Sequence, residues 1–326
     1  MRFRRIPRIA LATVVAAFAC AQVFPATSSS FTDATTLPDN TITAADDWTA
    51  PTITAAVLQK AGGGMVNKIG ANGTFYIYAN VTDAGSPASG VGTVTANTTN
   101  IATVTSATLS SGSYTVSGTS YNYRSALLTA KSTLTTTTYT YSLSVPDVAG
   151  NGPTTSSQTI NASNATFAPS SFLTTNVVTS GKILATDKMT FTYSSAPDPE
   201  SLFAGWDGSS KTVNVTLSDG ALYGWSSTTQ DVIGITDGTG AVTSLGYIVL
   251  GGDNVANSKT CTYPSSTIAL SGSTYTVTLG ATACSGDLKT DTSANVALWY
   301  SYNTAFSPFG TASSGATITG TSRVQF

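Results

Sequence analysis

Few side chains in this 326-residue chain are equipped for chemistry. It has no histidine, and Glu200 is its single glutamate. Imidazole general bases, His-ligated metals and Ser-His-Asp triads are therefore excluded. Asp198, Glu200 and Asp207 sit close together near Trp206, and a glycosidase needs two carboxylates flanking an aromatic-lined cleft. Pro197, Pro199 and Gly208 instead give this stretch the chemistry of a turn. We therefore expect no catalytic residues and no enzyme. Calcium is the one cofactor that the sequence leaves open. Asp46, Asp47, Asp83, Asp147 and Asn151 could supply hard oxygens to Ca²⁺, which takes about six to eight. No Asp-x-Asp-x-Asp-Gly loop is present, and an Asp and Asn spaced like 147 and 151 also suit a turn held through backbone amides.

Two cysteines and a set of aromatics complete the candidates. The three cysteines are Cys20, Cys261 and Cys284, and the first falls in a leader. Cys261 and Cys284 are expected to pair, which would close a loop of about 24 residues and stabilise the fold by roughly 3 kcal/mol. Trp206, Tyr223, Trp225, Trp299, Tyr300 and Tyr302 could build a sugar-stacking platform, although core packing is the usual fate of such rings in a sandwich. Trp206 and Trp225 are the candidates for facing a ligand. Trp225, flanked by Gly224 and Ser226 outside any alternating run, is the stronger.

The first 21 residues have the form of a signal peptide. Arg2, Arg4, Arg5 and Arg8 precede a short apolar run, and Ala19 and Ala21 have signal-peptidase spacing. The apolar run falls short of the ~20 residues that a spanning helix needs, so export without a retained membrane span is expected. Loss of the leader leaves ten basic against sixteen acidic residues, a net charge near −6. That balance gives no basic surface for nucleic acid.

The elements that must position these residues read as strands. Charged residues are 9% of the chain, against ~25% in an average protein, while roughly 100 residues are Ser or Thr. Residues 22–50 read as an extended arm or flexible tether, rich in Ser, Thr and Asp from Thr27 on, where Phe31, Leu37, Ile42 and Trp48 are isolated apolar points. Beyond Pro51 the pattern alternates. In 74–81, Phe75, Ile77, Ala79 and Val81 share a face, and in 138–145 so do Tyr139, Tyr141, Leu143 and Val145. Further strands are expected at 92–96, 101–109, 113–116 and 121–130, then at 173–179, 188–193, 212–217, 232–236, 245–250, 274–279 and 294–300. Short strands between Gly, Ser and Asn turns, without intervening helices, predict an all-β chain of two tandem antiparallel sandwiches, residues 51–163 and 164–326.

Particular motifs carry a resemblance. Asp83-Ala84-Gly85-Ser86 followed by Gly90-Val91-Gly92-Thr93-Val94-Thr95-Ala96, and then Tyr141 to Val145 with Asp147-Val148-Ala149-Gly150-Asn151, resembles bacterial immunoglobulin-like (Ig-like) domains of secreted surface proteins. Pro146 departs from that pattern. In the second region, Asp187-Lys188-Met189-Thr190-Phe191-Thr192-Tyr193 leading to Pro197-Asp198 is similar to the opening of SbsA-type Ig-like domains, with Ser195 where those carry Glu. The arm, through Ser30-Phe31-Thr32-Asp33 and Asn40-Thr41-Ile42-Thr43, resembles the start of mature TasA/camelysin-type fibre proteins, in which a strand complements a neighbouring subunit. The Ig-like resemblance implies a modular, extracellular, non-enzymatic protein.

We accordingly expect an exported cell-surface or matrix protein acting as an Ig-like spacer and adhesion module. Its partners would be a cell-surface protein or polysaccharide. A self-assembling fibre subunit with a donor-strand arm, which would associate with itself, is one alternative, and a carbohydrate-binding module is another.

Overall fold

The computed structural model describes residues 47–85, 88–226, 229–237, 242–282, 284 and 286–326, and only the backbone of 242–244. The expected leader, Cys20, Asp46 and the fibre-like motifs of the arm lie outside the described residues. What is described is all-β, in two β domains, with no element longer than a 3-10 turn that is not a strand.

The first domain is a nine-stranded sheet of β1 (Thr52–Lys60), β2 (Lys68–Gly70), β3 (Thr74–Thr82), β4 (Val94–Asn97), β5 (Ser106–Val116), β6 (Thr119–Ser125), β7 (Leu128–Thr129), β8 (Thr137–Val145) and β9 (Thr154–Ser163). Their order is β1-β3-β6-β5-β4-β8-β9-β2, with β7 on β3. The β2–β9 pair is parallel and the rest are antiparallel, so this sheet is mixed rather than purely antiparallel as expected. β1 also packs against β9, which brings the two ends together and leaves the sheet nearly closed. The cause is the period-two pattern. Phe75, Ile77, Ala79 and Val81 are buried together with Leu143, Val145 and Ile160. Withdrawing these side chains from water stabilises the fold by about 25 cal/mol per Å² of apolar surface.

The second sheet is antiparallel throughout. It comprises β10 (Pro169–Thr175), β11 (Lys188–Tyr193), β12 (Lys211–Ser218), β13 (Val232–Thr236), β14 (Val242–Val249), β15 (Thr260–Ser271), β16 (Thr274–Thr278), β17 (Leu298–Tyr300) and β18 (Thr317–Thr319). The order is β10-β11-β16-β15-β12-β13-β14-β17-β18, and β10 lies against β18. Phe191, Tyr193, Val213, Val215, Leu217, Ile248 and Trp299 fill the interior.

A buried polar clamp joins the two domains. Lys60, at the end of β1, donates to the carbonyls of Met65 (2.9 Å) and Pro308 (2.7 Å). Its ammonium lies 3.6 Å from Asp198 Oδ2. Asp198 also accepts from the Met65 amide at 3.3 Å, and the Gly70 amide donates to the Phe309 carbonyl at 2.7 Å. Gly64 makes the approach possible, because a Cβ there would stand 2.3 Å from Asp198 Oδ2.

Candidate functional site

The second domain carries a strip of partly exposed aromatic rings. Its elements meet there for local reasons. Asp219 caps a 3-10 turn, Gly220–Tyr223, by accepting from the Ala221 amide at 3.2 Å, and also accepts from the Ser258 amide. The turn ends at Gly224, whose φ of 79° is left-handed and favours glycine. This reversal brings Trp225 beside the preceding Tyr223. β14 and β17 supply the rest of the strip, with Tyr247 and Tyr300 opposite one another in register and Tyr302 just beyond.

The rings run in series. Tyr223 and Trp225 are 6.0 Å apart between centroids, Trp225 and Tyr247 6.1 Å, and Tyr247 and Tyr300 4.9 Å with planes 10° apart. Tyr302 meets Tyr247 edge-on at 6.3 Å. Tyr223, Trp225 and Tyr302 are 55%, 38% and 41% exposed, whereas most aromatic side chains of this domain are buried. Burial, and then the neighbouring Tyr300 and Tyr302 hydroxyls, push the Tyr247 hydroxyl above its ordinary pKa, so it stays protonated and can donate at neutral pH. The strip therefore offers flat apolar faces together with hydroxyl groups. That is the chemistry that packs on pyranose rings and bonds their hydroxyl groups.

The sequence candidates divide accordingly. Trp225 is exposed, as expected, and joins Tyr223, Tyr300 and Tyr302 in the strip. Trp206 does not face a ligand. It is buried, stacked on Tyr275 at 5.9 Å, with its indole N–H given to the Ser209 carbonyl at 2.7 Å. Trp299 is likewise in the core, bonded to the Leu245 carbonyl. Tyr247 is the member that sequence reasoning missed, because it lies within the apolar run 245–250, which reads as core on both faces. Cys261 and Cys284 form a disulfide, with Cα atoms 5.6 Å apart.

The aspartate candidates are held by backbone amides. Asp198 caps the 3-10 turn Pro199–Ser201 and belongs to the domain clamp. It lines a cleft of about 370 Å³ with Glu200, Phe306 and Phe309. Asp207 accepts from Ser209 and is placed outside that lining. Asp47, Asp83, Asp147 and Asn151 do converge on one loop cluster. There Asp47 accepts from the Thr49 and Ser89 amides, which hold its carboxyl below the ordinary range, and Asp83 accepts from Gly90. Asp147 and Asn151 bond one another, and the Asn151 side chain donates to the Asp47 carbonyl at 2.8 Å. These bonds pin turns together. Among the described residues no group of three or more acidic or cysteine side chains is disposed to hold a metal ion.

The chain matches no protein-family model and no curated protein.

Proposed function

We propose that this is an exported, non-catalytic surface or matrix protein that adheres to polysaccharide through the aromatic strip of its second domain. The series of exposed Tyr223, Trp225 and Tyr302 joined through half-buried Tyr247 and Tyr300 carries this proposal, since domains seldom leave a contiguous aromatic patch in water without a ligand for it. Export is supported by the Cys261–Cys284 disulfide, which persists in oxidising compartments. Among the described residues no helix is long and apolar enough to cross a membrane.

An Ig-like character for the first domain is supported by its strand order. An immunoglobulin-type sandwich sets strands A-B-E-D against C-F-G. With β1, β3, β4, β5, β6, β8 and β9 standing for A to G, the first domain has the order A-B-E-D followed by C-F-G, and β2 is added beside G. The second domain departs from this order, because a β12-β13-β14 meander occupies the place of C-F-G. We therefore assign the spacer role to the first domain and adhesion to the second.

Co-sedimentation of the mature chain with cellulose, chitin and insoluble β-glucan tests the proposal. Retention on at least one polymer is expected, weakened about tenfold or more by Trp225→Ala. Retention on none of them, or retention indifferent to Trp225 and Tyr302, would remove its basis.

A further inference from the structure

Arg124 occupies an unusual setting on the outer face of the first domain. Beyond the leader the chain has two arginines. Arg323 donates to the Thr174 hydroxyl at 2.8 Å. Arg124 instead lies over two tyrosine rings, 4.6 Å from the centroid of Tyr76 and 4.5 Å from that of Tyr114. The ion pairs among the described residues are Lys60–Asp198 and Lys289–Asp253, so no described carboxylate neutralises Arg124. Arg124 is half-buried, and among the described residues its side-chain nitrogens donate no hydrogen bond and none is fully buried, so the guanidinium edge meets solvent.

The surrounding sheet makes this a fixed group. Arg124 stands opposite Tyr78 of β3 on one side and Ser110 of β5 on the other. Tyr78 is buried on the face away from the core, against Tyr114 and Tyr121 at 5.9 and 6.0 Å. Stacking leaves the planar fork of N–H groups free while restricting the side chain, which lowers the ordering cost of a bidentate contact. The matching ligand group is a carboxylate. β6 is hydrogen-bonded on both sides, so it offers no strand edge to an extended peptide. Recognition there falls to side chains: rings with hydroxyl edges and one guanidinium.

We propose that Arg124, stacked on Tyr76 and Tyr114, is the anchor of a second binding site, which takes the carboxylate of a uronic-acid residue in an acidic polysaccharide. The site is remote in sequence from the aromatic strip and independent of it.

Affinity electrophoresis of the mature chain in gels containing polygalacturonate tests this. Retardation is expected, falling about tenfold or more in apparent affinity with methyl-esterified polygalacturonate, whose rings are kept and whose charges are removed. Arg124→Lys keeps the charge but loses the stacked fork, and a similar loss is expected with an unchanged melting temperature. No retardation by polygalacturonate, or equal retardation by its ester, would overturn the proposal. So would full activity of Arg124→Lys. Polyglutamate bound as tightly as polygalacturonate would overturn the sugar assignment in favour of an acidic peptide. The ester comparison uses the unmodified protein, so it decides the matter even if the variant folds poorly.

Discussion

Asp231 has no solvent exposure, and its Oδ1 has no hydrogen-bond partner among the described residues. Its other oxygen accepts from the amides of Asn254 (2.5 Å) and Val255 (2.8 Å). Burial, with Asp253 and Asp219 adding like charge, pushes its pKa up from 3.8 to about 6 despite those amides. The folded chain therefore holds this proton more tightly than the unfolded chain. The fold is favoured below about pH 4, loses stability as the pH climbs towards 6, and bears the full cost above that, roughly 3 kcal/mol. Asp231→Asn keeps an acceptor for both amides and removes the charge. Denaturant unfolding should find it more stable than the parent at pH 7.5 and equal to it near pH 4. Gly64 shows a steric limit at the same scale. Its φ is +80° and its Cβ position collides with Asp198, so Gly64→Ala should cost about 2 kcal/mol or more, measured by the same unfolding. Trp225 was legible because glycine and serine flank it. Trp206 was not, because its burial depends on Tyr275 and Phe203, and Tyr275 is far away in the chain.

Strands with clean alternation were legible and those with bulges were not. β11 and β13 fall on the expected residues, 188–193 and 232–236, since their burial follows period two. β15 was unread because Pro264 interrupts it. In the fold Pro264 and Ser265 lie at a register shift opposite Val213–Val215, where a missing amide is tolerated. β1 is disguised by a shift at Ile53–Ala55, and β9 by Ser and Thr on both faces until Ile160 and Ala162 reach the core. β5 runs on through 106–116, where two strands with a break were expected, because a further bulge at Ser111–Tyr114 carries it past Gly112. The disulfide acts at this scale, fixing the segment after β16 to β15 across a sequence separation of 23. Replacing both Cys261 and Cys284 by Ser should lower stability by about 3 kcal/mol in chemical denaturation. It should also bring proteolysis of the 281–291 region forward relative to the first domain.

Across the molecule, the clamp around Lys60 links the first domain to the second, and no local pattern announces it, since Lys60 and Asp198 are far apart in sequence. Burial lowers the lysine's pKa, while Asp198 and Glu200 oppose that shift. Lys60→Met would leave the buried Asp198 carboxylate without its cation and two carbonyls without their donor. About 3–5 kcal/mol of destabilisation is expected, with faster cleavage between β9 and β10 in limited proteolysis. Adhesion itself is best tested where the ligand would sit. The chain has four tryptophans: Trp225 on the strip, Trp206 and Trp299 buried, and Trp48 exposed just before β1. They make three internal controls for one reporter. In ¹⁹F NMR of the mature chain labelled with 5-fluorotryptophan, a soluble oligosaccharide of the retained polymer should shift and broaden the Trp225 resonance, identified by Trp225→Phe, and leave the other three in place. Binding that moves the Trp48 resonance, or that leaves Trp225 unmoved, would contradict adhesion through the aromatic strip.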